Sequence, residues 1–215
     1  VVTEFVSSIS VLITFEGIEG SGKSTQRDQL LAYLSEQNIP FIKTREPGGT
    51  PFGNHLRNIL LSKDSRITMN RSELFLFAAD RTEHLNQVIQ PGLATGKWVI
   101  CDRYIDSTFA YQYGGRGHSK QDILDIIRLT GAIQPDLTFL LDVSVKEGLR
   151  RASLRGVLDR FEQEDETFHH RVREAYIECY QANRHRMVQI RGEGRSESSI
   201  FNDIKREIIA RRTVV

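Results

Sequence analysis

Short apolar runs alternate with longer amphipathic ones along this chain. VLITFE (11–16) is apolar and β-branched and reads as a strand. In TQRDQLLAYLSEQ (25–37), Leu30, Leu31 and Leu34 share one helical face. FIKTRE (41–46) reads as a second strand and HLRNILLS (55–62) as a helix. SELFLFAADRTEHLNQVI (72–89) reads as a longer helix that ends before Pro91. KWVICD (97–102) and LTFLLDV (137–143) are the third and fourth strands. MVQI (187–190) is the fifth, ahead of a last amphipathic helix over 196–211. This alternation predicts an α/β fold with a parallel five-stranded sheet, helices on both faces and right-handed crossovers. Ligands gather at the carboxyl ends of the strands in such sheets. Glu16, Glu46, Asp102 and Asp142 then lie along one edge.

Charge narrows the function. Basic residues number 29 and acidic ones 28, a formal net charge of +1. A general nucleic-acid binder carries a marked basic excess, so that class is set aside. Small phosphorylated ligands need only a few local cations. A length of 215 residues suits a single domain, 1–215. Cys101 and Cys179 are too few for a disulfide framework or a zinc site, and Cys101 reads as a buried thiol within a strand. His169 and His170 diverge by roughly 100° on a helix, which predicts a solvated pair rather than metal ligands. VVTEFVSSIS (1–10) lacks the basic start and apolar run of a signal peptide. No apolar stretch approaches the ~20 residues that span a bilayer. The expectation is a soluble, cytoplasmic protein without a membrane partner.

The chemistry starts at GIEGSGKST (17–25), which has the form G-x-x-x-x-G-K-S. It follows a predicted strand and opens a predicted helix, as a phosphate-binding loop must. Its backbone, from Gly17, Ile18, Glu19, Gly20, Ser21 and Gly22 to Lys23, Ser24 and Thr25, cradles nucleotide phosphates. Lys23 reaches the β- and γ-phosphates and Ser24 meets Mg²⁺. Asp102, ending WVICD, is a second handle on the magnesium, directly or through water. No guanine-reading N-K-x-D segment occurs, which disfavours a switch GTPase, and the chain is short for a mechanical ATPase. A small-molecule kinase also needs a second anion site and an acceptor pocket. Arg45 and Arg103, just past predicted strand ends, suit the anion. Phe77, Arg81, Tyr104, Thr108 and Tyr111 are candidates for the pocket. Phe77 and Arg81, four apart, share a helical face that stacks and reads a base, or are a core phenylalanine and a surface cation.

Taken together, FEGIEGSGKST, TREPGGT, LFLFAADR, DRYIDSTFAYQ, GGRG, PDLTFLLDV and RGVLDRFEQE resemble the bacterial thymidylate kinase family in order and spacing, from about residue 11 to about residue 165. The resemblance implies a P-loop kinase core that transfers the ATP γ-phosphoryl to dTMP with Mg²⁺, giving dTDP on the way to dTTP, in a homodimer. It places Phe77 on thymine, Arg81 on O4, Thr108 on the ring's polar edge and Ser107 in the acceptor site. Arg45 and Arg103 fall on the dTMP phosphate and Tyr111 beneath the sugar. GGRG becomes a connecting loop. The loop carries Glu19 and no arginine, whereas RRASLRG (150–156) supplies Arg150, Arg151 and Arg155. The chain therefore resembles the form whose catalytic arginine sits in a mobile lid, here about 150–165, with Arg155 the first choice and Arg151 the second. Glu19 is expected to meet the 3′-hydroxyl of dTMP, or to hold Arg45. Alternatives are a nucleoside or nucleotide kinase with another acceptor, and a non-catalytic ATP-binding regulator.

Overall fold

Five strands form one sheet: β1 (Leu12–Glu16), β2 (Phe41–Arg45), β3 (Trp98–Asp102), β4 (Leu137–Asp142) and β5 (Met187–Arg191). All neighbours are parallel, in the order β2-β3-β1-β4-β5. The computed structural model describes residues 10–156 and 158–212, so most of the N-terminal stretch weighed as a signal peptide lies outside the described residues. Parallel strands need long crossovers, and helices supply them. These are α1 (Lys23–Glu36), α2 (Pro51–Leu61), α3 (Asn70–His84), α4 (Gln90–Ala94), α5 (Ile105–Thr108), α6 (Lys120–Leu129), α7 (Val145–Ser153), α8 (Glu166–Ala182) and α9 (Glu197–Arg212).

Strand alternation feeds both faces. Ile13 and Phe15 join Leu30 and Leu34 of α1 and Ile204 and Ile208 of α9 on one side. Leu12, Val99 and Cys101 pack with Leu85 and Ile89 on the other, so Cys101 is the buried strand thiol that its context implied. Leu140 and Met187 meet Phe168, Val172 and Tyr176 of α8. Burial on both faces explains why the strands read as continuous apolar runs.

Two helical stretches depart from the sequence reading. The long helix does not stop before Pro91. It widens into a π-helical turn over Leu85–Ile89 and resumes as α4, with Pro91 in that segment's first turn. There the missing N–H is tolerated. GGRG is not a free connecting loop either. Gly114 and Gly115 close a second π-helical stretch, Phe109–Gly115, that continues α5. A Cβ on Gly115 would lie 2.5 Å from the Phe168 ring, so only glycine permits this approach of α8. Among the described residues, no helix is long and apolar enough to cross a membrane.

Candidate active site

A cavity of about 740 Å³ lies at the carboxyl end of the sheet. Its floor is the loop between β1 and α1. Gly17 (φ 137) and Gly22 (φ 95) adopt backbone conformations that side chains resist, and Gly22 caps α1. Lys23 folds over the loop, donating to the carbonyls of Gly17 (2.9 Å) and Ile18 (2.8 Å). Burial, then repulsion from Arg103, lowers its amine to a pKa of about 8. Gly20 through Thr25 line the cavity.

Ser24 Oγ lies 3.2 Å from Asp102 Oδ2, which also accepts from Arg27 Nη1 at 2.7 Å. A hydroxyl and a carboxylate at a phosphate loop fit magnesium, which keeps waters and phosphate oxygens as its other ligands. No group of three or more His, Cys, Asp or Glu arranged to hold a metal ion occurs among the described residues. The remaining strand-end acids do not act together. Glu46 lines the cavity beside Asp102. Glu16 is fully buried, accepting from the Tyr104 N–H (2.7 Å) and the Ser107 hydroxyl (2.6 Å). Burial, then the charge of Asp106, raises it to about 7. Asp142 is held by Arg173 at 2.7 Å.

The loop acid meets a different arginine from the one anticipated. Glu19 Oε1 accepts from Arg103 Nη2 at 2.9 Å and from the Tyr111 hydroxyl. Arg45 reaches Asn54 instead, at 3.3 Å. Strand order explains the correction. Arg103 follows β3, the neighbour of β1, whereas Arg45 ends β2, one strand further out. Arg103 has φ 67, a strained conformation for a bulky residue, and its side chain also donates to Tyr176 (3.0 Å). Burial alone would raise Glu19, but Arg103, Lys23 and the Tyr111 hydroxyl outweigh it and hold the carboxyl below its usual range. Glu19 Oε2 is buried without a hydrogen-bond partner. His169 Nδ1 stands 3.7 Å from it, and His169 is 1% exposed. The solvated-pair expectation therefore holds for His170 only. α8 packs across the site, and its inner face takes His169 inside.

At the acceptor end, α3 presents Phe77 and Arg81. Arg81 is no surface cation: its side chain is 2% exposed. It donates to Glu46 Oε2 through Nε (2.9 Å) and Nη2 (2.7 Å), and to Thr108 Oγ1 at 2.7 Å. Its Nη1 has no hydrogen-bond partner. Glu46 also meets His84 Nδ1 at 2.9 Å. Phe77 is half-buried on the cavity wall, tilted against Phe161 at 6.1 Å. Ser107, Thr108, Tyr104 and Tyr111 line the same wall.

Of the RRASLRG arginines, Arg151 and Arg155 line the cavity and Arg150 does not. Arg151 pairs with Glu147 (2.6 Å) and Arg155 with Glu162 (3.0 Å). Arg150 is turned to solvent, also on Glu147. Arg57, Gln112 and Phe161 are among the cavity residues that had no role assigned from sequence. Arg57 carries a depressed pKa, first through burial and then through Arg45 and Arg103, the signature of three cations facing one space. A lone arginine on an amphipathic helix gives no such signal. Gln112 closes the quoted AYQ run with its Oε1 unpartnered. Phe161 arrives from the segment after α7.

Comparison with known proteins agrees with this geometry. The family model described as Thymidylate kinase matches residues 15–204. A thymidylate kinase of Pseudomonas putida (strain W619) is 48% identical over 169 residues, covering 78% of this chain and 82% of the relative. One from a Psychrobacter species is 44% identical over 194 residues, covering 88% and 93%. The crystal structure of thymidylate kinase from Ehrlichia chaffeensis superposes with a TM-score of 0.75 at 35% identity, covering 93% of this chain and 98% of that one. With phosphate loop, acceptor wall and family model in agreement, the chain belongs to the thymidylate kinase family.

Proposed function

We propose that phosphorylation of dTMP, the activity of the family, runs here with ATP as donor and with the cavity residues in the following roles. The observation that carries the reading is one continuous cavity with a phosphate loop at one end and an aromatic wall with a buried, partly unpaired arginine at the other. The loop from Gly17 to Thr25 holds the ATP phosphates, with Lys23 exchanging its backbone partners for phosphate oxygens. Ser24 and Asp102 hold Mg²⁺, which when bound neutralises phosphate charge. Arg45, Arg57 and Arg103 receive the dTMP phosphate, which relieves the mutual repulsion of the three cations. Phe77 stacks on thymine, Arg81 donates through Nη1 to O4, and Thr108 is fixed by Arg81 at the ring's edge. Ser107 and Tyr111 hold Arg103 and Glu19 in place.

Glu19 offers Oε2 to the 3′-hydroxyl of dTMP. Arg155, and Arg151 behind it, exchange carboxylate for γ-phosphoryl oxygens as the 150–165 segment closes and excludes water. The enzyme is a cytoplasmic homodimer. An ADP-release assay with dTMP, dUMP, dCMP, thymidine and 3′-deoxy-dTMP tests the assignment. Turnover is expected to favour dTMP, to fail with thymidine, and to fall about ten- to a hundredfold on loss of the 3′-hydroxyl, the worth of one hydrogen bond to a charged group. Glu19→Ala should erase that last preference. Equal turnover of dCMP and dTMP would reject the base assignment.

A further inference from the structure

Glu73 stands outside every role above, yet it is a buried carboxylate that accepts four hydrogen bonds. It lies on α3 one turn before Phe77 and two turns before Arg81, so all three share a helix face. It is 1% exposed. Four donors converge on its two oxygens. Oε1 accepts from Gln112 Nε2 (2.8 Å) and Arg116 Nε (3.1 Å). Oε2 accepts from Arg116 Nη2 (3.2 Å) and Arg160 Nη2 (2.6 Å). That fills the acceptor capacity of a carboxylate. The donors come from two parts of the chain: α3 binds the end of the π-helical stretch after α5, running into GGRG, and the segment that follows α7.

Two consequences follow from the chemistry. A carboxylate only accepts, so the Gln112 amide must turn its NH₂ toward Glu73. Its oxygen, which has no protein partner, is then the end left for the cavity that Gln112 lines. With the donor Nη1 of Arg81, which lines the same cavity and is likewise without a partner, it supplies one donor and one acceptor. Such a pair matches a pyrimidine with a carbonyl at position 4 and an N–H at position 3, and mismatches cytosine at both. The second consequence concerns the 150–165 segment. Arg160 is held by Glu73, by the Leu60 carbonyl (2.9 Å) and by stacking over Phe161 at 4.6 Å. Arg116 lies over the same ring at 5.3 Å and binds Glu164 at 2.6 Å. Phe161 in turn backs Phe77.

We propose that Glu73 is a positioning residue that joins acceptor-base recognition to the root of the lid: one buried carboxylate orients Gln112 toward the base and fixes, through Arg116 and Arg160, the segment that carries Arg155. The inference rests on the base-pocket assignment above. Without touching substrate, Glu73 makes the platform for the base and the anchor of the closing segment one unit.

The experiment uses the full-length enzyme with three readouts: kcat and KM for dTMP and dCMP, melting temperature, and trypsin cleavage at Arg150, Arg151 and Arg155 with and without dTMP. In the wild type, dTMP should protect these sites. In Glu73→Gln, which keeps the shape but has one acceptor oxygen for four donors, the preference for dTMP over dCMP should fall about tenfold or more, and dTMP should no longer protect. Arg160→Met removes only the lid arm. It should keep the base preference and lose the protection, a split that general destabilisation does not produce. A folded Glu73→Gln that retains both base preference and protection overturns the proposal. If that variant does not fold, Arg160→Met decides, and protection kept there overturns the coupling. A wild type that prefers dTMP without acceptor-dependent protection also overturns it. A wild type with no base preference instead brings down the base-pocket assignment, and the proposal with it.

Discussion

Two arginine–carboxylate pairs line the cavity with similar lengths and different surroundings. Arg81 meets Glu46 at 2.7 Å with side chains 2% and 4% exposed. Arg155 meets Glu162 at 3.0 Å with side chains 60% and 14% exposed. Distance does not rank these pairs; water does. Removing one partner of a buried pair leaves an uncompensated charge, at a cost of about 3–5 kcal/mol. A pair open to solvent contributes about 0–1 kcal/mol. On the proposed roles, the buried pair builds the acceptor end in advance around fixed donors, and the exposed pair holds Arg155 weakly enough for phosphate oxygens to replace the carboxylate. The proposal needs both, because a base is recognised by rigid geometry and a transferring phosphoryl by charge delivered on closure.

The largest expected effect breaks the comparison from its exposed side. Arg155→Ala should lower kcat and kcat/KM together, by roughly 10³-fold, the scale of an arginine that acts in the transition state. Melting temperature and dTMP KM should barely move. A silent Arg155→Ala beside a slow Arg151→Ala transfers the role to Arg151, and a fast Arg150/Arg151/Arg155 triple variant removes the lid from catalysis.

Arg81→Met is the opposite case. It leaves Glu46 with only His84 as a side-chain partner and should cost about 3–5 kcal/mol of stability, a fall in melting temperature on the order of 10 °C for a chain of this size. An unchanged melting temperature would mean that the buried pair is no stronger than the exposed one.

Asp80 sharpens the contrast through pH. It is buried beside Glu46, with Oδ1 accepting the Gly48 N–H at 3.0 Å and Oδ2 unpartnered. Burial first, then the Glu46 charge, raises its pKa from 3.8 to about 7. The folded state thus holds this proton more tightly than the unfolded chain. The stability it contributes is complete below pH 3.8 and is lost as pH rises through about 7. At ~1.4 kcal/mol per pH unit the loss amounts to a few kcal/mol. Asp80→Asn keeps the acceptor for Gly48 and should flatten that part of the profile. Urea unfolding at pH 5 and pH 8 measures it, and parallel curves for the two proteins would assign the decline to another group, Glu16 first.

Phe77→Ala should have the smallest effect. Loss of base stacking weakens dTMP by about 1–3 kcal/mol, with ATP affinity retained. Equal weakening of both ligands, with a melting temperature lower by several degrees, would make Phe77 a core residue whose removal loosens the whole wall.

Much of this was legible along the chain. The short apolar and β-branched runs marked all five strands, because a sheet covered on both faces buries most positions of its central strands. The phosphate loop was legible because its glycines, Lys23 and Ser24 are contiguous, so local sequence carries the whole device. The passage through Pro91 and the shape of GGRG were not legible, since each depends on a π-helical turn stabilised by packing.

The sequence by itself determined the five strands, the parallel sheet and the edge where the chemistry gathers, since these follow from hydrophobic period and from motifs local to one turn. Tertiary structure decided the pairings. Strand order gave Glu19 to Arg103 and withheld Arg45. The packing of α8 buried His169 and left His170 in solvent. The meeting of three distant segments saturated Glu73. A side chain's partner and its access to water depend on residues far away in the chain, and no local pattern records them.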